Sequence, residues 1–221
     1  MNSKPLPESA RAVVIGGGII GCSVAYHLAE LGCETVLLER DQLTSGTTWH
    51  AAGLMTTYGS TSETMLEIRR YSRRLYARLE QETGQQTGFA PVGFIEVAAD
   101  ADRLEEQRRV AAFNRFHGNE VIELSPTEVQ GLFPLANVDD IAAGFYSPQD
   151  GRINPVDVTM ALAKGARMQG ATVLQGVSVE DVLVRNGEVH GVRTARGDIR
   201  CEIVVNCAGM WARQLGEKSG V

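Results

Sequence analysis

Gly16-Gly17-Gly18-Ile19-Ile20-Gly21 presents the spacing G-x-G-x-x-G, in which backbone amides rather than side chains hold a pyrophosphate. Gly16 makes the tight turn, Gly18 lets the backbone approach the phosphates, and Gly21 lets helix and strand pack closely. A helix starting there offers free N–H groups and roughly half a positive charge to an anion. Glu39 stands 18 residues beyond Gly21. A carboxylate at that point accepts hydrogen bonds from a ribose diol and disfavours a 2′-phosphate, which argues against NADP. The glycine pattern does not separate FAD from NAD. An NAD-dependent dehydrogenase would also need a catalytic constellation that this sequence does not offer.

The next segment, from Arg40 to Leu54, is too rich in Gly, Ser and Thr for a core element, yet it follows directly on the ribose-binding strand. It holds Trp49-His50. Neutral histidine is nucleophilic near pH 7, and a loop leaving that strand can carry it from the adenosine half of a dinucleotide toward a ring system. By residue type alone His50 reads first as a loop histidine satisfied by its neighbours. His27, His117 and His190 fall in helix and strand contexts and read as packing or surface residues. Cys22, Cys33, Cys201 and Cys207 form no C-x-x-C pair and no metal-type spacing, so reduced packing thiols are expected and no metal.

These residues need elements to hold them. Ala12 to Ile15 is an apolar, β-branched run suited to a buried parallel strand. Ile20, Val24, Leu28 and Leu31 follow at helical spacing, Gly32 stops the helix, and Thr35 to Leu38 is a second apolar strand. Strand, glycine turn, helix and strand make a βαβ unit. Helices are expected over 66–83 and 102–116, with a strand over 93–98 between them. Arg69, Arg70, Arg73, Arg74 and Arg78 are expected on the solvated face of the first, opposite Ile68, Leu75 and Leu79. Ser125-Pro126-Thr127-Glu128 is a capping box, and Asn154-Pro155 opens a helix that ends at Gly170. Runs at 177–184, 188–194 and 199–205, separated by Asn186-Gly187 and Arg196-Gly197, predict a three-stranded β-meander.

Composition narrows the function classes. The 221 residues are 43% hydrophobic and 22% charged, as in folded globular proteins. With 21 Lys+Arg against 27 Asp+Glu the net charge is −6, which argues against nucleic acid and anionic membranes as partners. No apolar run is long enough to span a bilayer. The opening Met1–Arg11 carries neither an apolar signal core nor an arginine-rich amphipathic pattern, so a cytoplasmic location is expected.

The loop around Trp49-His50 resembles that of the FAD-dependent dimethylglycine and sarcosine dehydrogenases, members of the D-amino-acid oxidase superfamily. Further likeness lies in Phe133-Pro134-Leu135, in Gly144-Phe145-Tyr146 with Asp150-Gly151 and Asn154-Pro155, and in Val204-Val205-Asn206-Cys207-Ala208-Gly209-Met210-Trp211-Ala212. The last is similar to the family's second FAD segment, where a strand returns to the nucleotide. The resemblance runs from about Ala12 to the C-terminus.

It implies an α/β protein, with a Rossmann-like FAD-binding domain of the glutathione-reductase type and a β-meander, plus part of an α+β substrate domain. The FAD domain would take 1–60 and 151–221, and the substrate domain 61–150. FAD would be held by Gly16, Gly18, Gly21, Glu39, Arg40, Thr47, Val177, Ala208 and Gly209, and attached covalently to His50 through its 8α-methyl group. The implied activity is oxidation of the C–N bond of N-methylated glycines, giving formaldehyde and the demethylated amine. The electrons would pass to oxygen or to an acceptor protein. A non-catalytic flavoprotein-like regulatory or interaction subunit is the alternative. Family members continue past this point with closing segments and amine-contacting residues, so no catalytic residue carries over. The 221-residue chain alone is expected to be a truncated form that shows no amine-dependent flavin reduction and tends to associate.

Overall fold

The computed structural model describes residues 5–220. In chain order these form β1 (Ala12–Ile15), α1 (Ile19–Glu30), β2 (Thr35–Leu38), β3 (Leu54–Met55), α2 (Glu63–Thr83), β4 (Phe94–Ala98), α3 (Ala101–Phe116), β5 (Ile122–Leu124), α4 (Pro126–Leu132), β6 (Ala143–Ser147) and β7 (Gly151–Arg152). They continue with α5 (Pro155–Met168), β8 (Thr172–Leu174), β9 (Val179–Arg185), β10 (Glu188–Thr194), β11 (Gly197–Arg200), β12 (Ile203–Asn206) and α6 (Ala212–Lys218). Contacts divide the chain into one unit of residues 1–52, 79–87 and 154–221 and another of 53–78 and 88–153.

The first unit is built on a parallel sheet of order β12-β1-β2-β8. All four residues of β1 and of β2 are buried, as a strand covered on both faces requires. One face, with Val13, Ile15, Val36 and Leu38, packs on Val192, Ile199 and Leu215 from the meander and α6. Val14 and Leu37 point the other way by strand alternation, and α1 and α5 supply that layer. The two helices approach closely because Gly165 has no side chain where Tyr26 lies; an added Cβ would sit 2.7 Å from Tyr26 Cε2. Three layers result, with the nucleotide motif at the carboxyl end of β1, in the central one.

The meander β11-β10-β9 is antiparallel. Asn186 and Gly187 take φ of 54° and 80°, the left-handed turn their types favour. The expected third strand over 199–205 is two strands. The chain breaks at Cys201-Glu202: residues 197–200 pair with β10, and Ile203–Asn206 pair in parallel with β1. Ile199, Cys201 and Ile203 alternate with Arg200 and Glu202 straight through the break, so the local pattern could not reveal it: both halves are half-buried strands that differ in which sheet they join.

In the second unit β4, β6 and β5 form an antiparallel sheet in that order, and β3 pairs with β7. Its core holds Tyr58, Ala98, Ala111, Val121, Ala143 and Phe145. The Ser125–Glu128 capping box is complete, and Asn154 Oδ1 accepts from the amides of Val156 and Asp157 to start α5.

The arginine face of α2 is solvated only in part: Arg74 and Arg78 are exposed as expected, whereas Arg69, Arg70 and Arg73 are half-buried. Ile68 is 52% exposed, whereas Leu66, Leu75 and Leu79 are buried, so the packed stripe is rotated from the predicted one. Arg69 Nη1 donates to the Tyr58 carbonyl at 2.9 Å, and Arg70 Nε to Asn119 Oδ1 at 2.8 Å. Arg73 Nη2 donates to Gln149 Oε1 at 2.8 Å, while its Nη1 lies 3.6 Å from the fully buried carboxylate of Asp150. Long arginine stems cover apolar surface while their heads satisfy loop carbonyls, a use that helical spacing cannot distinguish from solvent exposure.

Candidate functional site

At the carboxyl ends of β1, β2 and β12 lies a cavity of about 330 Å³, within the range of small-molecule sites and wholly inside the first unit. The glycine turn forms its floor. Gly16 has φ of +112°, and a Cβ there would meet the Cys207 carbonyl oxygen at 2.3 Å. Gly21 packs so tightly under the turn that a Cβ would lie 1.9 Å from the Gly16 oxygen. Gly18 is different: its added Cβ would meet only Thr48 Oγ1, at 3.1 Å.

Glu39 sits at the rim with both oxygens engaged. Gly17 N–H donates to Oε2 at 2.6 Å and Asp41 N–H to Oε1 at 2.8 Å, so the carboxylate orients the glycine turn itself. A carboxylate has about four lone-pair sites, which leaves acceptor capacity for a ligand. The Gly/Ser/Thr segment is fixed by distant partners. Leu43 N–H donates to Gln175 Oε1 at 2.7 Å, Thr44 N–H to the Gly17 carbonyl at 3.0 Å, and Gly176 N–H to the Asp41 carbonyl at 3.0 Å. Thr48 Oγ1 accepts from Ile19 N–H at 3.1 Å, capping α1 from outside the helix.

Gly16, Gly18, Glu39, Arg40, Thr47, Val177, Ala208 and Gly209 all line the cavity. Gly21 lies beneath it, as a packing glycine should. His50 is not among the lining residues; it ends a 3-10 turn, Thr48–His50, in which Thr48 is buried and Trp49 and His50 are exposed, the two rings tilted against each other with centres 3.7 Å apart. Val177 N–H is already given to the Glu39 carbonyl at 2.8 Å. Ala208 N–H donates to Asn206 Oδ1 at 3.2 Å. Cys22, one turn into α1, has its thiol pushed up to about 12 by burial and is a neutral packing group. Sequence reasoning missed Thr48, Gln175 and Trp211 as site residues. Gln175 carried no signal, since the amide it binds is 132 residues away.

The family model described as FAD-dependent oxidoreductase matches residues 11–221. The chain belongs to this family of FAD-dependent oxidoreductases. It is 42% identical over 226 residues to human (Homo sapiens) sarcosine dehydrogenase, covering 99% of this chain and 24% of that protein. It is likewise 42% identical over 224 residues to dimethylglycine dehydrogenase of Rattus norvegicus, covering 99% of this chain and 26% of the relative. The chain thus spans about a quarter of the length of these curated relatives. Among solved structures, L-proline dehydrogenase from P. horikoshii superimposes with a TM-score of 0.92 at 28% identity, over 98% of this chain and 57% of that one. Both curated relatives are named as mitochondrial and lend no support to a cytoplasmic location. No helix among the described residues is long and apolar enough to cross a membrane.

The cavity fits the family's cofactor on its own chemistry. α1 starts at Ile19, whose amide is taken by Thr48 Oγ1, but its first turn holds no acid, so the helix dipole still favours an anion there. The glycine backbone permits close approach, and Glu39 keeps acceptor capacity at the cavity rim.

Proposed function

We propose that this chain forms the nucleotide-holding part of an FAD-dependent amine dehydrogenase or oxidase that demethylates N-methylated glycines, with FAD joined to His50. The observation that carries the reading is the convergence of Gly16, Gly18, Glu39 and the start of α1 on one cavity. The substrate class rests on the identity with relatives named for sarcosine and dimethylglycine, both N-methylated glycines. In this reading the amides at the start of α1 and the Gly18 backbone hold the diphosphate, and Glu39 accepts from the ribose hydroxyls. Arg40, Thr47, Val177, Ala208 and Gly209 wall the nucleotide. Gly21 acts through packing alone. When bound, FAD supplies the acceptor for the hydride lost from an N-methyl carbon, and hydrolysis of the resulting iminium gives formaldehyde and the demethylated amine. Oxygen or an electron-transfer protein then takes the electrons. His50, exposed two residues beyond the cavity-lining Thr48, would carry the imidazole through which FAD is joined.

In the intact protein, flavin colour should bleach anaerobically on adding sarcosine or dimethylglycine; flavin that neither amine reduces would reject the substrate reading. Acid-denatured protein should run on a gel with yellow-green fluorescence that disappears in His50→Ala. Fluorescence persisting in that variant would remove His50 as the attachment point. Glu39→Ala should weaken initial FAD capture by about 10- to 150-fold, the worth of a charge-assisted hydrogen bond. Flavinylation followed against FAD concentration should shift to higher FAD and reach a similar plateau; an unshifted curve would take Glu39 out of the ribose site.

A further inference from the structure

The segments that leave β2 and β12 flank the glycine turn on opposite sides, because the sheet order is β12-β1-β2. They nevertheless touch. The Arg40 guanidinium carbon lies 3.9 Å from the centre of the Trp211 ring, and both residues line the cavity. We propose that Arg40 and Trp211 form a strap across the mouth of the cavity, in which the indole holds the guanidinium over the diphosphate of the bound nucleotide. This rests on the reading of the cavity as the FAD site and adds Trp211 as a positioning residue.

Charge makes such a device necessary. The cavity is lined by three acids, Glu39, Asp41 and Glu180, against two cations, Arg40 and Lys218. Lys218 Nζ donates to the Glu180 carbonyl at 3.3 Å. Arg40 follows Glu39, whose carboxylate holds the Gly17 amide, and Asp41 competes for its guanidinium with an Nε–Oδ2 contact of 3.1 Å. Stacking uses the face of a guanidinium and leaves its in-plane N–H groups for phosphate oxygens, which a point-charge cation could not reproduce. Trp211 is about one-third exposed, and its backbone rather than its ring is tied to the return segment. Trp211 N–H donates to the Ala208 carbonyl at 3.1 Å, and Gly46 comes close enough that a Cβ there would lie 3.9 Å from Trp211 Cζ3.

ADP is the probe, since it carries the diphosphate without the group that His50 would trap. Calorimetric titration of the 221-residue chain should give about 5- to 30-fold weaker ADP binding for Arg40→Gln and for Trp211→Ala, the range reached when the bound nucleotide covers a cation–π pair that is partly exposed without it. The double variant should bind no more weakly than the worse single one. Trp211→Phe should stay within about threefold of the parent, and Trp211→Leu, which keeps bulk without a π face, should behave as Trp211→Ala. Multiplying losses, or Trp211→Leu binding like the parent, would overturn the strap while leaving the nucleotide site intact. A parent chain that binds no ADP would overturn the site reading and the strap with it.

Discussion

Gly21→Ala is expected to lose both the fold of the nucleotide turn and cofactor binding, at a cost of about 3 kcal/mol in stability. The added methyl would lie 1.9 Å from the Gly16 carbonyl oxygen and 3.3 Å from Cys207 Cβ. Neither neighbour is the movable end of a side chain. Relief would require β1 and α1 to part, and β1 is central in the sheet, so the strain reaches both of its neighbours. Gly18→Ala separates the two effects. Its methyl meets only a threonine hydroxyl at 3.1 Å, so the melting temperature should hold while FAD affinity falls. Guanidinium denaturation and FAD titration of both variants check the pair; a Gly21→Ala chain as stable as its parent would refute the packing role.

Asp150→Ala should cost about 3–5 kcal/mol, the usual penalty for breaking a buried ion pair. Asp150 is fully buried and accepts from Thr57 N–H at 2.8 Å, Thr57 Oγ1 at 2.7 Å and Tyr58 N–H at 3.1 Å, with Arg73 at 3.6 Å. Its removal would leave two backbone donors and a hydroxyl unsatisfied beside a mostly buried guanidinium. Asp150→Asn should recover only part of the loss, because its NH₂ faces a donor where one carboxylate oxygen accepted. Removing Arg73 as well, in Asp150→Ala/Arg73→Met, should cost less than the sum of the two single changes. Denaturant midpoints decide this, and a loss below about 1 kcal/mol for Asp150→Ala would place the tie among weak surface pairs.

The features legible in the amino-acid sequence are those decided within a few residues of themselves. The βαβ unit followed from two β-branched runs, a glycine motif and helical spacing; the starts of α4 and α5 from Ser125, Glu128, Asn154 and Pro155; the β9–β10 turn from Asn186-Gly187. Each of these preferences is a matter of local backbone sterics or of a side chain reaching its own helix end. Belonging to the flavin family was legible for a related reason, since the resemblance lies in short linear motifs, the loop around Trp49-His50 and the Asn206–Ala208 return segment.

Tertiary structure alone decided where equivalent local patterns go. It divided 197–206 between two sheets, turned Arg69, Arg70 and Arg73 of α2 inward, and gave Glu39 two amide partners. It also set Gln175 against the loop at Leu43 and Trp211 against Arg40. In each case the partner lies far along the chain or the competing options share one local pattern. The outcome then depends on which surfaces the whole fold brings together, and burial rather than local preference selects among them.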